Sequence, residues 1–552
     1  MAVQYLTYLG RKRLLQLAVL VFIILFILFL PSSTLRYSSS TIISHILSYR
    51  IHSPSVLEVE GYKLSHLALR QLYANTEYQP VWVGDKGPNH RANSFLRCLQ
   101  NSYRDGLNPE DYRLHVLQGL WKERIPERLA QLDLLLSDLF MQYARDMYQG
   151  RVVPQSVDKD WFLNLPALDM QQLFEQASVE ESVCHSIFLL RPKHPQYARL
   201  RQALAEYRQI QQQGGWSSIP LGRLLKSGME DAQVPLIRRR LVISGDYFGT
   251  TSDNLIFDEV LSEAVKNFQS RHGIYTDGMV GDETRVAMSI PVEKRIAQIQ
   301  ANMERWRWVP RHLGHRYIVV NAAGYELEVI EDEERVLSMR VVVGKRDRPT
   351  PVFTSELQFV DFNPTWNVPH SIAVRDILPK LQKDPGFTKK QNMQILSGWN
   401  QNEHEVNPYD IDWQWYSDKH FPFHLRQPPG PNNPLGSIRF LFPNSHEIYL
   451  HDTNHAELFD LPERNYSSGC IRVQKPLNLA RYLLKDDANW SRQKIRSQID
   501  TGKSLRSQLG RTLPVYILYF TAWVDEDGRP YFYQDAYQRD RELLLEMGVP
   551  TY

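Results

Sequence analysis

The sequence predicts a multi-domain α+β protein: a membrane helix at the N-terminus, a helical first half, and a β-rich last third carrying a long insertion. Three observations predict it. The chain has 552 residues, enough for three or four folded units. Apolar residues recur at helical spacing up to about residue 310 and in short strand-like runs beyond it. An almost unbroken apolar run fills residues 14–30. With 43% hydrophobic and 23% charged residues the composition is globular, which argues against wholesale disorder or a fibre. A net charge of +2 gives no case for a nucleic-acid footprint, which needs a concentrated basic face.

Residues 1–31 read as a cytoplasmic tip and anchor. Arg11, Lys12 and Arg13 precede the apolar run, which is interrupted only by Gln16. The run is near the shortest length that spans a bilayer, roughly 17 residues. A cleaved signal peptide has the same charge order, but Pro31-Ser32-Ser33 makes a poor cleavage site. The basic cluster would stay in the cytoplasm, leaving the remainder outside it. Residues 32–54, rich in Ser, Thr and Tyr, read as a stalk.

Residues 55–230 read as a helical scaffold. Leu64, Leu67, Ala68 and Leu72 fall at helical spacing, as do Leu132, Leu135, Leu139 and Tyr143. No catalytic motif appears there. The three cysteines, Cys98, Cys184 and Cys470, form no CxxC pair, and the low, odd count argues against a disulfide framework. Cys98 and Cys184 could still bridge in an oxidising compartment.

Residues 231–290 form a compact unit. Val234, Leu236, Ile237 and Leu241 predict a first helix; Leu261, Val265 and Phe268 lie on one face of a second. A third begins near Asp282 or Glu283. Glycines 273, 278 and 281 suit turns with unusual backbone angles. The elements Ile237-Arg238-x-x-Leu241, Ala264-Val265-Lys266-x-Phe268-Gln269-x-x-His272-Gly273 and Asp277-Gly278-x-Val280-Gly281-x-x-Thr284 resemble the small helical peptidoglycan-binding domain of wall enzymes. A purely structural three-helix spacer is the other reading.

Residues 291–315 read as a connecting helix, and 316–535 as a β-rich domain. The runs Tyr317-Ile318-Val319-Val320-Asn321, Glu326-Leu327-Glu328-Val329-Ile330 and Met339-Arg340-Val341-Val342-Val343-Gly344 are β-type. Further strands are expected over residues 357–362, 438–442, 447–451 and 513–520. An insertion at about 367–436, with helices expected over 372–378 and 388–395, is long enough to suggest a lid. Residues 536–552 are a tail.

The chemistry lies in Tyr449-Leu450-His451-Asp452-Thr453 and Arg464-Asn465-Tyr466-Ser467-Ser468-Gly469-Cys470-Ile471-Arg472-Val473. A strand delivers His451, and a turn of small residues presents Cys470 with backbone N–H groups beside it, as a developing oxyanion needs. An imidazole in reach of a thiol can hold the thiolate and later return a proton to a leaving amine. His451 and His455 sit four apart with His446 near, but Asp452-Thr453-Asn454 between them is poor helix and no Glu follows His451, which argues against a metal site. His370, His404, His420 and His424 read as surface or lid residues.

This region resembles the catalytic domain of the L,D-transpeptidase family: a histidine, a variable span, then Ser/Thr-His-Gly-Cys, an apolar residue and Arg or Asn. His451, Cys470, Ile471 and Arg472 match; Ser468 stands where the common signature has histidine. That departure, with Asn363-Pro364-x-Trp366-x-Val368-Pro369 and Pro434-Leu435-Gly436, points to the large, membrane-anchored, multi-domain branch, in which the insertion is a capping subdomain.

The resemblance implies Cys470 as nucleophile and His451 as acid and base. The N–H groups of Cys470 and Gly469 are the expected oxyanion donors. Arg472, Tyr449, Trp366 and Ser468 are the expected substrate contacts. Arg472 as a structural salt bridge, Tyr449 as packing and Trp366 as core are the competing readings. The implied reaction joins two diaminopimelate side chains in a 3→3 cross-link with release of D-Ala, without metal or cofactor. The implied partners are peptidoglycan tetrapeptide stems, the bacterial inner membrane and wall-synthesis enzymes, with the catalytic part in the periplasm and open to carbapenems. Three alternatives remain: L,D-carboxypeptidase or endopeptidase activity, lipoprotein-to-wall attachment by the same cysteine, and a non-catalytic wall-binding anchor.

Overall fold

Helix α1, Ser39–His52, forms where the sequence suggested only a stalk. Ile43, Leu47 and Ile51 recur every fourth residue and are fully buried. Burying each such side chain stabilises by about 1.5–3 kcal/mol, which outweighs a Ser- and Ile-rich helix's weak propensity. Ser38 caps it, its hydroxyl accepting the Thr41 N–H at 3.2 Å. The computed structural model describes residues 38–179, 183–249, 252–398 and 403–550. The anchor expected at 14–30 lies outside them; among the described residues no helix is long and apolar enough to cross a membrane.

The described chain divides into two units. The first takes residues up to 99, 110–141 and 170–186. Its centre is Asp133, which accepts the N–H groups of Trp82 at 2.7 Å and Val83 at 3.1 Å and the Tyr73 hydroxyl. Burial pushes this carboxyl up to about 6. Trp82, Phe95, Phe140 and Phe174 pack around it with ring centroids 5.3–6.4 Å apart. Leu67, expected on the buried helical face, is 73% exposed; Leu69, Leu72 and Tyr73 are buried instead. Cys98 and Cys184 are joined by a disulfide. An odd cysteine count therefore leaves one bridge and one free thiol, Cys470.

The second unit holds the other 100–109, 142–169 and 187–552 segments. Helices α2 Val234–Ile243, α3 Glu259–Arg271 and α4 Asp282–Ser289 share a separate apolar core. Asp258 caps α3 through the Leu261 N–H at 2.8 Å. Gln269 ties the following loop down, donating to Asp277, the Met279 carbonyl and Thr284 at 2.9–3.1 Å. Gly273 and Gly278 take positive φ, whereas Gly281 caps α4 at φ −91°, so its expected unusual angle is not needed. Helix α5, Val292–Trp308, buries Trp306 and Trp308 in the main core.

Nine strands follow: β1 Arg316–Asn321, β2 Glu326–Glu331, β3 Glu334–Gly344, β4 Phe353–Phe362, β5 Ile438–Leu441, β6 Leu450–His451, β7 Asn465–Ser467, β8 Ile471–Val473 and β9 Leu505–Leu518. Their order is β7-β3-β8-β6-β5-β4-β9-β1-β2, and a β2–β3 pairing closes the sheet into a ring. Closure removes the exposed edges that an open sheet would present. The β6–β8, β1–β9 and β3–β7 pairs are parallel.

The insertion has its own core, including Val368, Leu381, Ile395, Trp413 and Leu425. Its expected second helix is confined to Phe387–Lys390. Asn392 at φ +53° then turns the chain, and Gln394–Leu396 becomes a strand against His424–Gln427. His424, expected near the surface, is buried and lies 3.3 Å from Glu403.

Candidate active site

The site is built on the parallel pair β6–β8. Leu450 faces Ile471 across it, and both are fully buried. Side chains alternate along a strand, so the next pair, His451 and Arg472, faces the other way. Tyr449 and Cys470 each stand one residue before Leu450 and Ile471 and share that second face; the Ile471 N–H donates to the Tyr449 carbonyl at 3.1 Å. His451 is thus one diagonal step from Cys470 on the same face of the pair. The Tyr449 and His451 rings meet edge to face at 5.7 Å.

His451 is 4% exposed. Its Nδ1 lies 2.6 Å from the Asp452 carbonyl. A carbonyl only accepts, so Nδ1 carries a proton; the Pro434 backbone, which has no N–H to give, also bonds the ring. Burial, reinforced by Arg472, pushes the imidazole down to about 3. Asp452 in turn accepts the Ser437 and Thr453 N–H groups, each at 2.8 Å. Gly436, at φ +60°, leaves room for this: a Cβ there would lie 2.5 Å from the Asp452 carboxyl group.

Cys470 is free and half-buried, with its sulfur 3.6 Å from the Glu447 carbonyl. Burial pushes its thiol up to about 11, partly offset by hydrogen bonding from Tyr449. The resting pair is therefore neutral thiol and neutral imidazole, not the held thiolate expected from sequence.

The turn before Cys470 is braced from three sides. Thr350 accepts the Gly344 N–H at 2.9 Å and donates to the Gly469 carbonyl at 2.8 Å. The Ser467 hydroxyl donates to the Cys470 carbonyl and accepts the Gly469 N–H, the latter at 3.1 Å. Gly469 is therefore engaged and is not the free oxyanion donor expected; the Cys470 N–H remains the candidate. Arg348 donates to the Ser468 hydroxyl at 3.0 Å, so Ser468 is held from outside the motif.

Arg472 contacts Thr453 at 3.4 Å, and its buried Nε has no partner. It enters no ion pair among the described residues, which removes the structural salt-bridge reading and leaves a cation beside the thiol. Arg439 sits 5.4 Å from the Tyr449 ring centroid and pairs with Asp361 at 2.6 Å. Trp366 is not gathered here. It pairs with Gln427 and packs on the insertion's core. His446 lies against Phe353 and His455 against Glu457, so neither joins His451. Among the described residues no group of three or more His, Cys, Asp or Glu is placed to hold a metal ion. Sequence reading missed Thr350, Arg348, Asp361 and Arg439; they are distant in the chain and carry no motif.

Residues 315–517 match the family profile of the L,D-transpeptidase catalytic domain. The chain carries an L,D-transpeptidase catalytic domain. Residues 230–288 match a peptidoglycan-binding domain and 67–204 a scaffold domain. A curated relative from Haemophilus influenzae, named as an L,D-transpeptidase, is 34% identical over 302 residues. The match covers 54% of this chain and 58% of that relative, so it spans little over half the relative's length. Similar solved structures include an L,D-transpeptidase of Stackebrandtia nassauensis, at 14% identity, 54% and 96% coverage and TM-score 0.21. L,D-transpeptidase 3 of Mycobacterium tuberculosis, solved with a faropenem-derived adduct, is 13% identical, with 37% and 60% coverage and TM-score 0.18. Overlays this loose carry no argument about the site. The L,D-transpeptidase domain holds both Cys470 and His451.

Proposed function

We propose that this chain is an L,D-transpeptidase that forms 3→3 peptidoglycan cross-links through a thioester on Cys470. The supporting observation is the shared face of β6 and β8. It carries a free thiol, a neutral imidazole with its Nδ1 fixed, and a guanidinium whose Nε has no partner.

As the Cys470 sulfur attacks the carbonyl joining diaminopimelate to D-Ala, the His451 imidazole takes the thiol proton. The Cys470 N–H faces the developing oxyanion. When the C–N bond breaks, the imidazolium gives its proton to the departing D-Ala amine and the thioester remains. A second stem's diaminopimelate amine attacks that thioester, passes a proton through His451 and releases the thiol. Arg472 receives a stem carboxylate. Water in place of the amine gives hydrolysis, so the two outcomes differ only in the acceptor.

Placement outside the cytoplasm, anchored in the inner membrane, belongs to the same proposal. The Arg11–Arg13 cluster before the apolar run supports it. So does the Cys98–Cys184 disulfide, a bond kept in oxidising compartments.

Intact-protein mass spectrometry after carbapenem exposure tests the nucleophile. The expected result is one adduct on the wild type and none on Cys470→Ser; no adduct on folded wild type overturns the assignment. Incubation with disaccharide tetrapeptide tests the acceptor. Cross-linked dimer plus D-Ala is expected, and tripeptide monomer alone would replace transpeptidation with carboxypeptidase action.

A further inference from the structure

Beside the catalytic turn lies an open cavity of about 400 Å³, shared between the ring and the insertion. The ring side supplies Lys345, Tyr466 and Ser468; the insertion supplies Arg375, Lys380 and Lys383. The one carboxylate in its wall, Asp376, is already taken. Arg348 forks it, with one arm at 2.9 Å, and also donates to Ser468 at 3.0 Å. Lys345 has a loose partner in Asp347 at 3.5 Å, and Lys380 lies over the Phe387 ring at 4.9 Å. Arg375 and Lys383 enter no ion pair among the described residues. The cavity therefore keeps an uncompensated positive charge.

We propose that this cavity is an anion subsite that binds the free carboxylates of a peptide stem, so the insertion completes the substrate site rather than only covering it. The proposal rests on the function proposed above. The occupant is a stem, and not a remote polyanion, because the cavity wall includes Ser468 and Tyr466, two and four residues before Cys470. Four cations around an open cavity attract an anion through interactions that salt screens. The Arg348 bridge holds the two halves in register: it neutralises Asp376 and pins the turn with the same guanidinium.

The test measures binding to full-length Cys470→Ser protein, which cannot turn the ligand over. The probes are disaccharide tetrapeptide with free diaminopimelate and glutamate carboxylates, and the same compound with both amidated. The free acid is expected to bind about 10-fold more tightly, an advantage that fades between 50 and 500 mM NaCl. Adding Arg375→Gln, Lys380→Gln and Lys383→Gln should abolish the advantage and leave the amidated affinity unchanged. Lys383→Gln alone should remove part of it, which keeps the idea testable if the triple variant misfolds. Equal binding of the two probes, or a preference that survives the triple change, overturns the subsite. D-Ala release by the unsubstituted enzyme is scored separately. Release without carboxylate preference sinks only the subsite, and preference without release sinks only the proposed reaction.

Discussion

A buried thiol should react slowly and only at high pH, and this separates two modes of cysteine catalysis. Cys470 is pushed up to about 11, against about 9 for an exposed thiol. At pH 8 about one molecule in 1,000 would carry thiolate, against about one in ten for the exposed group. Alkylation by iodoacetamide, which needs preformed thiolate, should therefore run about 100-fold slower than for glutathione. Its logarithm should rise with unit slope from pH 7 to beyond pH 10. His451→Gln should leave that profile within about 3-fold, because a neutral imidazole holds no thiolate at rest. The same substitution should slow carbapenem acylation by about 10²–10⁴, the usual contribution of a general base. A plateau in alkylation below pH 7, abolished in His451→Gln, would mean a resting thiolate–imidazolium pair and would refute the reasoning.

Three further outcomes follow from the same geometry. Thr350→Val strands the buried Gly344 N–H and Gly469 carbonyl and should cost about 2–4 kcal/mol, read from urea midpoints, while Thr350→Ser should cost well under half as much. Equal losses would sink the bridging role. His451, near 3 when folded and about 6.5 when unfolded, adds stability that is present above pH 6.5 and lost as pH falls toward 3, because the unfolded chain takes the proton first. Between pH 6.5 and 4.5 the loss is about 2–3 kcal/mol; His451→Gln should flatten that slope, and an unchanged slope contradicts a neutral buried ring. Cys98→Ser with Cys184→Ser should lower stability by about 2–5 kcal/mol, since the bond closes a loop of 86 residues. Dithiothreitol should bring the wild type to the same midpoint and leave the variant unmoved; a wild type indifferent to reductant argues against the bridge.

The legible parts of this fold were those written locally. Alternating runs such as Glu326–Ile330 became strands, and the three-helix unit announced itself through the apolar face of Leu261, Val265 and Phe268 and the turns at Gly273 and Gly278, which depend only on neighbours. The strand ending at His451 and the turn before the Ile471 strand were legible because motif and strand pattern lay together. What escaped was long-range. Thr350 and Arg348 brace the catalytic turn from about 120 residues away. The direction of both titrations depends on burial, which no spacing reveals. Residues 388–395 read as helix from composition, yet pairing with His424–Gln427 drew their end into a sheet. Trp366 looked like a cleft wall because an aromatic beside prolines suits either role; the insertion's core claimed it.

The parallel pairing of β6 with β8 acts as a ruler. Both reactive groups are odd-numbered steps from the buried Leu450–Ile471 rung, so slipping either strand by one residue would turn its reactive side chain into the apolar interior. Because the strands belong to a closed ring, neither can slip alone without breaking ladders on both sides. The distance between the His451 and Cys470 backbones is thereby set by backbone hydrogen bonds rather than by side-chain contacts. Changes to the residues around the thiol can accordingly retune reactivity while leaving its separation from the imidazole untouched.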